Sequence, residues 1–263
     1  MVSYAVSRYI TVPRRHKCSP ASDSDMMLPA ELIDHIFSFL QKDILALKAC
    51  SKAHPLFLIL AERHLYAHIV IDPQAPETHD LILENPRLLD YPRTLQIRCH
   101  DYTSSRNPMA IVPMIPQMSN LISLRIDTLP CPFYYREEFF STFKTILQQL
   151  QPSLQQLFIF SFFDFPLSVL DVAKSIKQLT LSYCTADKQE SISSSPSSHL
   201  SLETLILSGD HNPELHRWAM RWVTRLTTLE LQDPMPNRDW TVFPELLVAC
   251  SNSLTWLSLH FCM

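Results

Sequence analysis

Apolar residues near the start of the chain follow a helical period. Leu32, Ile33, Ile36, Phe37 and Leu40 recur with polar residues between them, a pattern that predicts an amphipathic helix. Pro29 suits the first turn of this helix, Asp43 can cap a second helix, and Pro55 can open a third. Three short helices bury little apolar surface among themselves. We therefore expect this module to pack against a partner protein as well as against the rest of the chain.

A second pattern begins after residue 70. Ile69 and Ile71 predict a short strand, and a template of the form Leu-x-x-Leu-x-Leu follows at intervals of roughly 20 to 30 residues, the period of leucine-rich repeats. Its seven copies start at Pro92, Leu121, Leu154, Ile176, Leu202, Leu226 and Leu254. Helical patterns fall between these copies at residues 139–150, 213–223 and 243–250. Because a strand–helix unit cannot bury its apolar side alone, stacked neighbours should share one core.

These two patterns predict an α/β fold, α+β overall, in which a three-helix module precedes an irregular leucine-rich-repeat solenoid with a curved parallel sheet on its concave side. The predicted divisions are a flexible tail at 1–25, the helical module at 26–70 and the repeats at 71–263. Within the repeats, three prolines predict a loop or broken segment at 101–118. The serine-rich residues 187–199 predict a mobile loop.

Composition narrows the function. The chain has one glycine and seven scattered cysteines, and its net charge is −4. One glycine excludes the glycine-rich phosphate loops of nucleotide-binding proteins, and scattered cysteines do not indicate a disulfide framework or a zinc ribbon. The part of the chain after residue 70 has more acidic than basic residues, which argues against nucleic acid as a ligand. We therefore expect no cofactor, no membrane span and a reducing compartment, the cytoplasm or the nucleus.

Candidate catalytic or metal-binding groups are few. His64 and His68 have the i, i+4 spacing that can bind zinc on one helix, and we predict both on the third helix, but the sequence places no further ligand beside them. Asp210, His211 and Glu214 stand where a helix begins, which explains them as capping residues. The sequence thus predicts no metal site, no catalytic residue and no enzyme.

The order of residues in the helical module resembles an F-box. The resemblance covers Leu28-Pro29-x-Glu31-Leu32, then Ile36, Leu40, Asp43, Leu45 and Leu47, and finally Ala61-x-Arg63-His64-Leu65-Tyr66. It is similar to the form common in large fungal F-box families, in which irregular leucine-rich repeats follow the F-box. The resemblance implies binding to the Skp adaptor of a Skp–cullin–F-box (SCF) ubiquitin ligase, which links the chain indirectly to a cullin. The implied adaptor contacts are Leu28, Pro29, Leu32, Ile36, Leu40, Leu45 and Leu47.

The repeats would then hold a protein substrate. Side chains alternate along a strand, so residues between the buried leucines should point to the concave face. We predict substrate contacts there from Arg98, Arg125, Phe158, Phe160, Ile206, Glu230 and Trp256. Three alternatives to this interpretation are a repeat scaffold that is not coupled to a ligase, a helical module that merely caps the repeats, and an enzyme that uses His64, His68 or the Asp210–Glu214 cluster.

Overall fold

The computed structural model describes residues 28–72, 76–99, 108–128, 136–151, 153–185, 202–209, 213–220, 225–232 and 242–260. It divides the chain into two compact units, with the boundary between Ala67 and His68. The predicted tail at 1–25 and the predicted loop at 187–199 lie outside the described residues.

The first unit consists of three helices: α1 (Ala30–Phe39), α2 (Ile44–Ala53) and α3 (Pro55–Leu65). Pro29 occupies the N-cap position of α1. The carboxylate of Asp43 caps α2 by accepting a hydrogen bond from the Ala46 N–H at 2.9 Å, and Pro55 opens α3 as predicted. The Asp43 carboxylate thereby satisfies an amide donor that has no partner within α2, whereas Pro29 makes no side-chain capping hydrogen bond at the start of α1.

A small core holds the three helices together. It contains Ile33, Phe37, Leu47, Leu60 and Ala61. Phe37 meets the ring of Phe57 edge-on at 5.7 Å. Nε2 of His64 lies 3.1 Å from a carboxylate oxygen of Asp34, which joins α3 to α1.

The structure corrects the predicted position of His68. The third helix ends at Leu65, and His68 is the first residue of a strand in the second unit. The backbone N–H of Tyr66 closes the last turn by donating to the Glu62 carbonyl, and the chain then becomes extended. His64 and His68 therefore do not share a helix. Their i, i+4 spacing in the sequence does not place the two imidazoles on one helical face, as a zinc pair on a helix would require.

The described part of the second unit contains an eight-stranded, fully parallel sheet whose strands follow one another in chain order. Strands β1 to β8 are His68–Ile71, Thr94–Cys99, Ser123–Thr128, Gln156–Phe160, Gln178–Ser182, Thr204–Ser208, Thr228–Gln232 and Trp256–His260. Every copy of the leucine template ends in one of these strands. The α/β class with a parallel sheet is thus confirmed.

Register keeps equivalent leucines side by side across the sheet. Leu95 pairs with Leu124, Leu124 with Leu157, and Leu157 with Leu179. Because side chains alternate, one face of each strand carries the two template leucines or isoleucines, and this face is buried in strands β1 to β7. The other face, which we call the open face, carries the polar and aromatic residues between them.

Helices cover the buried face. They are α4 (Pro76–Glu84), α5 (Arg136–Gln149), α6 (Pro213–Ala219) and α7 (Val242–Cys250), with 3-10 helices at Pro86–Asp90, Pro108–Gln117 and Leu167–Val172. The last three α-helices carry the predicted apolar stripes. Phe143 and Leu147 of α5, Leu215 and Trp218 of α6, and Leu246 of α7 belong to the same core as the strands.

The prediction of a loop or broken segment at 101–118 is wrong for residues 108–117, and residues 101–107 lie outside the described residues. Residues 108–117 form a 3-10 helix that contains Pro113 and Pro116, and Ile115 and Met118 are buried in the core of the sheet unit. Proline lacks an amide donor, yet a short and tight helix tolerates it when apolar neighbours anchor the segment. The three prolines alone predict an irregular segment, because a count of prolines takes no account of the buried Ile115 and Met118.

Cys184 lies three residues after Leu181, the last template leucine of β5. The thiol is buried, and Sγ lies 3.5 Å from the Ile159 carbonyl oxygen and 3.3 Å from that of Ser182. Burial raises the pKa of this thiol to about 11, because a thiolate is poorly solvated there. Cys184 therefore remains a neutral donor that ties β5 to β4.

Candidate functional site

The helical unit exposes several large apolar side chains. Leu32 and Ile36 are about half exposed, and Phe39 and Leu45 are 75% and 79% exposed. Leu28, immediately before α1, is also about half exposed. We call these five residues the exposed helical stripe. Large apolar side chains that stay in contact with water are candidates for an interaction surface.

Helix α1 carries two separate apolar stripes. At about 100° per residue, Leu32, Ile36 and Phe39 fall within roughly 60° of one another, and Ile33 and Phe37 lie on a side roughly 100° away. Ile33 and Phe37 form the core, and the other three residues do not. Helix α1 therefore has a second, outward-facing apolar stripe beside the one that packs in the core.

Most residues of the predicted adaptor set lie on the surface. Leu28, Pro29, Leu32, Ile36 and Leu45 are exposed, and Leu40 is half-buried against the small core. Leu47 differs because its side chain is completely buried in that core. The sequence placed Leu45 and Leu47 in one contact set, but packing of α2 on α3 directs Leu47 inward, so Leu47 is not available for contact.

Phe39 was missed at the sequence level. It stands seven residues after Leu32, which places both on one side of α1. Its ring meets that of His35 edge-on at 5.0 Å. His35 therefore packs against Phe39, the aromatic residue of the stripe. The i, i+7 spacing from Leu32 is the signal that could have identified it.

The open face of the sheet brings the other predicted contacts onto one surface. In the register of the sheet, Arg125 lies beside Phe158, Thr180 separates Phe158 from Ile206, and Ile206 lies beside Glu230. Arg98 and Phe160 occupy a second row, and Trp256 a third. Charged residues thus flank an apolar centre formed by Phe158, Phe160 and Ile206.

Ion pairs organise the β1–β3 side of the open face. Nε of Arg125 donates to a carboxylate oxygen of Asp127 at 2.7 Å, and the Gln96 side-chain amide donates to the other oxygen. Nη1 of Arg98 lies 3.4 Å from an Asp72 carboxylate oxygen. Asp127 is buried, and the Arg125 and Gln96 donors compensate the cost of removing its carboxyl group from water.

An aromatic pair occupies the C-terminal edge of the central strands. The rings of Phe160 and Tyr183 meet edge-on at 5.4 Å, and both are partly exposed. Tyr183 has a positive φ of 54° and packs over Gly209, whose φ is 82°. A Cβ on Gly209 would lie 2.7 Å from Cε1 of Tyr183, so the absence of a side chain at Gly209 makes room for this ring. Sequence patterns did not identify Tyr183, because its placement depends on contact between neighbouring strands.

The β7–β8 side of the open face combines acidic, basic and hydroxyl groups. Nε2 of His260 lies 2.8 Å from Oγ of Ser258 and 3.3 Å from a carboxylate oxygen of Glu230. In a serine hydrolase triad the serine and the carboxylate contact different ring nitrogens. Here both contact the same nitrogen, so this cluster lacks the geometry of a triad.

Within the described ranges, no group of three or more histidine, cysteine, aspartate or glutamate side chains is placed to hold a metal ion. Among the helices that the structure describes, none is long and apolar enough to cross a membrane. No protein-family model matches the chain, and no curated protein has significant sequence similarity to it.

Proposed function

We propose that this chain is a substrate-recognition subunit of an SCF ubiquitin ligase. In this proposal the helical unit is an F-box that binds the Skp adaptor, and the sheet unit is a leucine-rich-repeat solenoid that binds a protein substrate. Catalysis then belongs to other subunits of the ligase. The cytoplasm or the nucleus is the corresponding location.

The exposed helical stripe is the observation that carries this proposal. It coincides with Leu28, Leu32, Ile36 and Leu45 of the predicted adaptor set and leaves these side chains in contact with water. Burial of an apolar side chain of this size is worth about 1.5 to 3 kcal/mol when it is complete. A partner that covers the stripe would therefore gain several such contributions, as from the anchors of a binding hot spot.

The open face supports the substrate-binding half of the proposal. Phe158, Phe160 and Ile206 form an apolar centre, and Arg125 and Glu230 flank it with opposite charges. An apolar centre inside a polar rim is the usual anatomy of a protein interface. Arg98 and Trp256 extend the same face toward its two ends.

Co-purification with the Skp adaptor tests the proposal. We expect the full chain to bind the adaptor and the Leu28→Ala/Ile36→Ala variant to lose roughly 10- to 100-fold in affinity, because two half-exposed anchors are truncated. Leu83→Ala is the matched control, since Leu83 is exposed to a similar degree on α4 of the other unit. Undiminished adaptor binding by the double variant would refute the proposed contact surface.

A cullin pull-down separates a ligase subunit from a repeat scaffold. With adaptor and cullin both present, the proposed function requires the chain to recover the cullin only when the adaptor is added. Recovery of the adaptor without the cullin would favour the repeat scaffold. The scaffold has the same fold but is not coupled to a ubiquitin ligase.

A further inference from the structure

The charged side chains of the open face are distributed unevenly along the sheet. Arg98 and Arg125 are the only lysine or arginine residues in the eight described strands, and they lie on the open face of β2 and β3. Glu230 lies on the same face of β7. The apolar centre of the open face lies between these two ends. A ligand that spans the face therefore meets arginine at one end and an acid at the other.

The two arginine side chains are more exposed than the acids with which they pair. The side chain of Arg125 is 47% exposed and that of Asp127 is 9% exposed, and the values for Arg98 and Asp72 are 34% and 18%. Asp127 accepts from Nε of Arg125, and a guanidinium group has five N–H donors. The same guanidinium can therefore bind a second carboxylate, and it is the group that an incoming ligand meets first.

The spacing of the strands matches that of an extended peptide. Neighbouring strands are roughly 4.8 Å apart, so Arg125 on β3 lies roughly 14 Å from Ile206 on β6. Phe158 on β4 lies between them. Every second side chain of an extended peptide points the same way, and the first and third of these are roughly 13 Å apart. A peptide that crosses the strands can therefore set one side chain at Arg125 and the next two over Phe158 and Ile206.

We propose that the open face binds an extended segment of a partner protein that carries one aspartate or glutamate and two apolar residues at alternate positions. The carboxylate would bind the guanidinium groups of Arg125 and Arg98, and the apolar side chains would pack on Phe158 and Ile206. This inference rests on the proposed function, because it names the kind of substrate segment that the repeats would hold.

The charges of the open face favour a carboxylate over a phosphate and fix the end at which it binds. When Asp72 and Asp127 are ionised they already balance the two arginines, so a doubly charged phosphate would bring an excess of negative charge. At the other end of the face, Glu230 would repel an acidic side chain, because like charges across an interface are unfavourable. The acid of the segment should therefore lie over β2 and β3 and its apolar residues over β4 to β6.

Selection of short random peptides displayed on phage, with the full chain as bait, tests the proposal. Enriched peptides should carry an acid with apolar residues two and four positions away on the same side of it. Replacing that acid by asparagine in an enriched peptide should weaken binding to the wild-type chain roughly 10-fold, because a charge-assisted hydrogen bond pair is lost. This comparison needs no change to the protein, so it does not depend on the folding of a variant.

Two protein variants locate the acid. Arg98→Gln/Arg125→Gln should bind the acidic peptide and its asparagine form equally. Lys177→Gln is the matched control, because Lys177 is 52% exposed and lies 3.6 Å from a carboxylate oxygen of Glu203, but stands just before β5. This variant should keep the roughly 10-fold difference. A peptide with phosphoserine in place of the acid should bind the wild-type chain no more tightly than the acidic peptide.

Four results would overturn the proposal. They are the absence of an acid from the enriched peptides, equal binding of the acidic and asparagine peptides by the wild-type chain, tighter binding of the phosphoserine peptide, and an unchanged preference for the acid in the double arginine variant.

Co-purification with the Skp adaptor, measured on the same protein, separates this inference from the proposed function. A chain that binds the adaptor but shows no preference for acidic peptides would refute the inference alone. A chain that shows the preference but does not bind the adaptor would refute the SCF assignment and would leave the open face as the peptide-binding surface of a different complex.

Discussion

The glycine at position 209 is the only one in the chain, and two features that disfavour a side chain meet there. Its φ is 82°, in the region where a side chain is disfavoured, and the ring of Tyr183 occupies the space that a Cβ would need. Ser161 and Tyr183, which also directly follow strands, have positive φ as well. The turn alone therefore tolerates a side chain, and the Tyr183 ring is what makes glycine necessary at position 209.

Gly209→Ala separates these two features. We expect the free energy of unfolding to fall by about 2 to 3 kcal/mol, of which about 1 kcal/mol reflects the left-handed backbone and the rest the collision with Tyr183. In a Tyr183→Ala background the same substitution should cost only about 1 kcal/mol, because the ring is gone. Urea denaturation of the wild type, both single variants and the double variant measures the coupling.

Equal losses in the two backgrounds would contradict the steric account. They would mean that backbone conformation alone requires glycine, and that Tyr183 moves aside at no cost.

At the scale of elements, the sequence predicted the strands more reliably than it predicted which helical side chains are exposed. Alternating leucines specify which side of a strand is buried, because the period of two is rigid and each strand has neighbours of the same pattern. The apolar pattern of helix α2 does not determine in the same way which side chains are buried. Its apolar residues include both Leu45 and Leu47, and only the position of Leu60 and Ala61 on α3 decides that Leu47 is the buried one.

Segments without a periodic signal escaped prediction for related reasons. Helix α4 and the 3-10 helices at 86–90 and 167–172 are short, and tertiary contacts rather than local propensity stabilise them. The predicted helical position of His68 is wrong, because the residue pairs with Thr94 of the neighbouring strand.

The cap of α2 allows a test at the element scale. Asp43→Ala removes the acceptor for the Ala46 N–H and should lower the stability of the helical unit by about 1 kcal/mol. Asp43→Asn keeps an acceptor oxygen and is the matched control, with a loss of a few tenths of a kcal/mol. Amide exchange of α2, measured by mass spectrometry, should accelerate about fivefold in the alanine variant and little in the asparagine variant. Similar acceleration in both variants would indicate that the charge of Asp43, and not its hydrogen bond, stabilises the helix.

At the scale of the whole molecule, the two units differ greatly in the size of their cores. The helical unit buries Ile33, Phe37, Leu47, Leu60 and Ala61, whereas one continuous core runs through the sheet unit from Ile69 to Cys250. Small cores give low free energies of opening. Amides of α1 to α3 should therefore exchange with solvent faster than those of the inner strands β3 to β6.

Adaptor binding should reverse part of this difference if the proposed function is correct. A ligand that binds only the folded helical unit stabilises it by about 2.7 kcal/mol at one hundred times its dissociation constant. Exchange in α1 to α3 should then slow about 100-fold on addition of the Skp adaptor, while exchange in β3 to β6 should not change. The Leu28→Ala/Ile36→Ala variant provides the control, because its core residues are intact but its contact surface is truncated. Protection of the sheet instead of the helices would mean that the adaptor binds the sheet unit. Equal protection in the variant would show that the adaptor does not cover the exposed helical stripe.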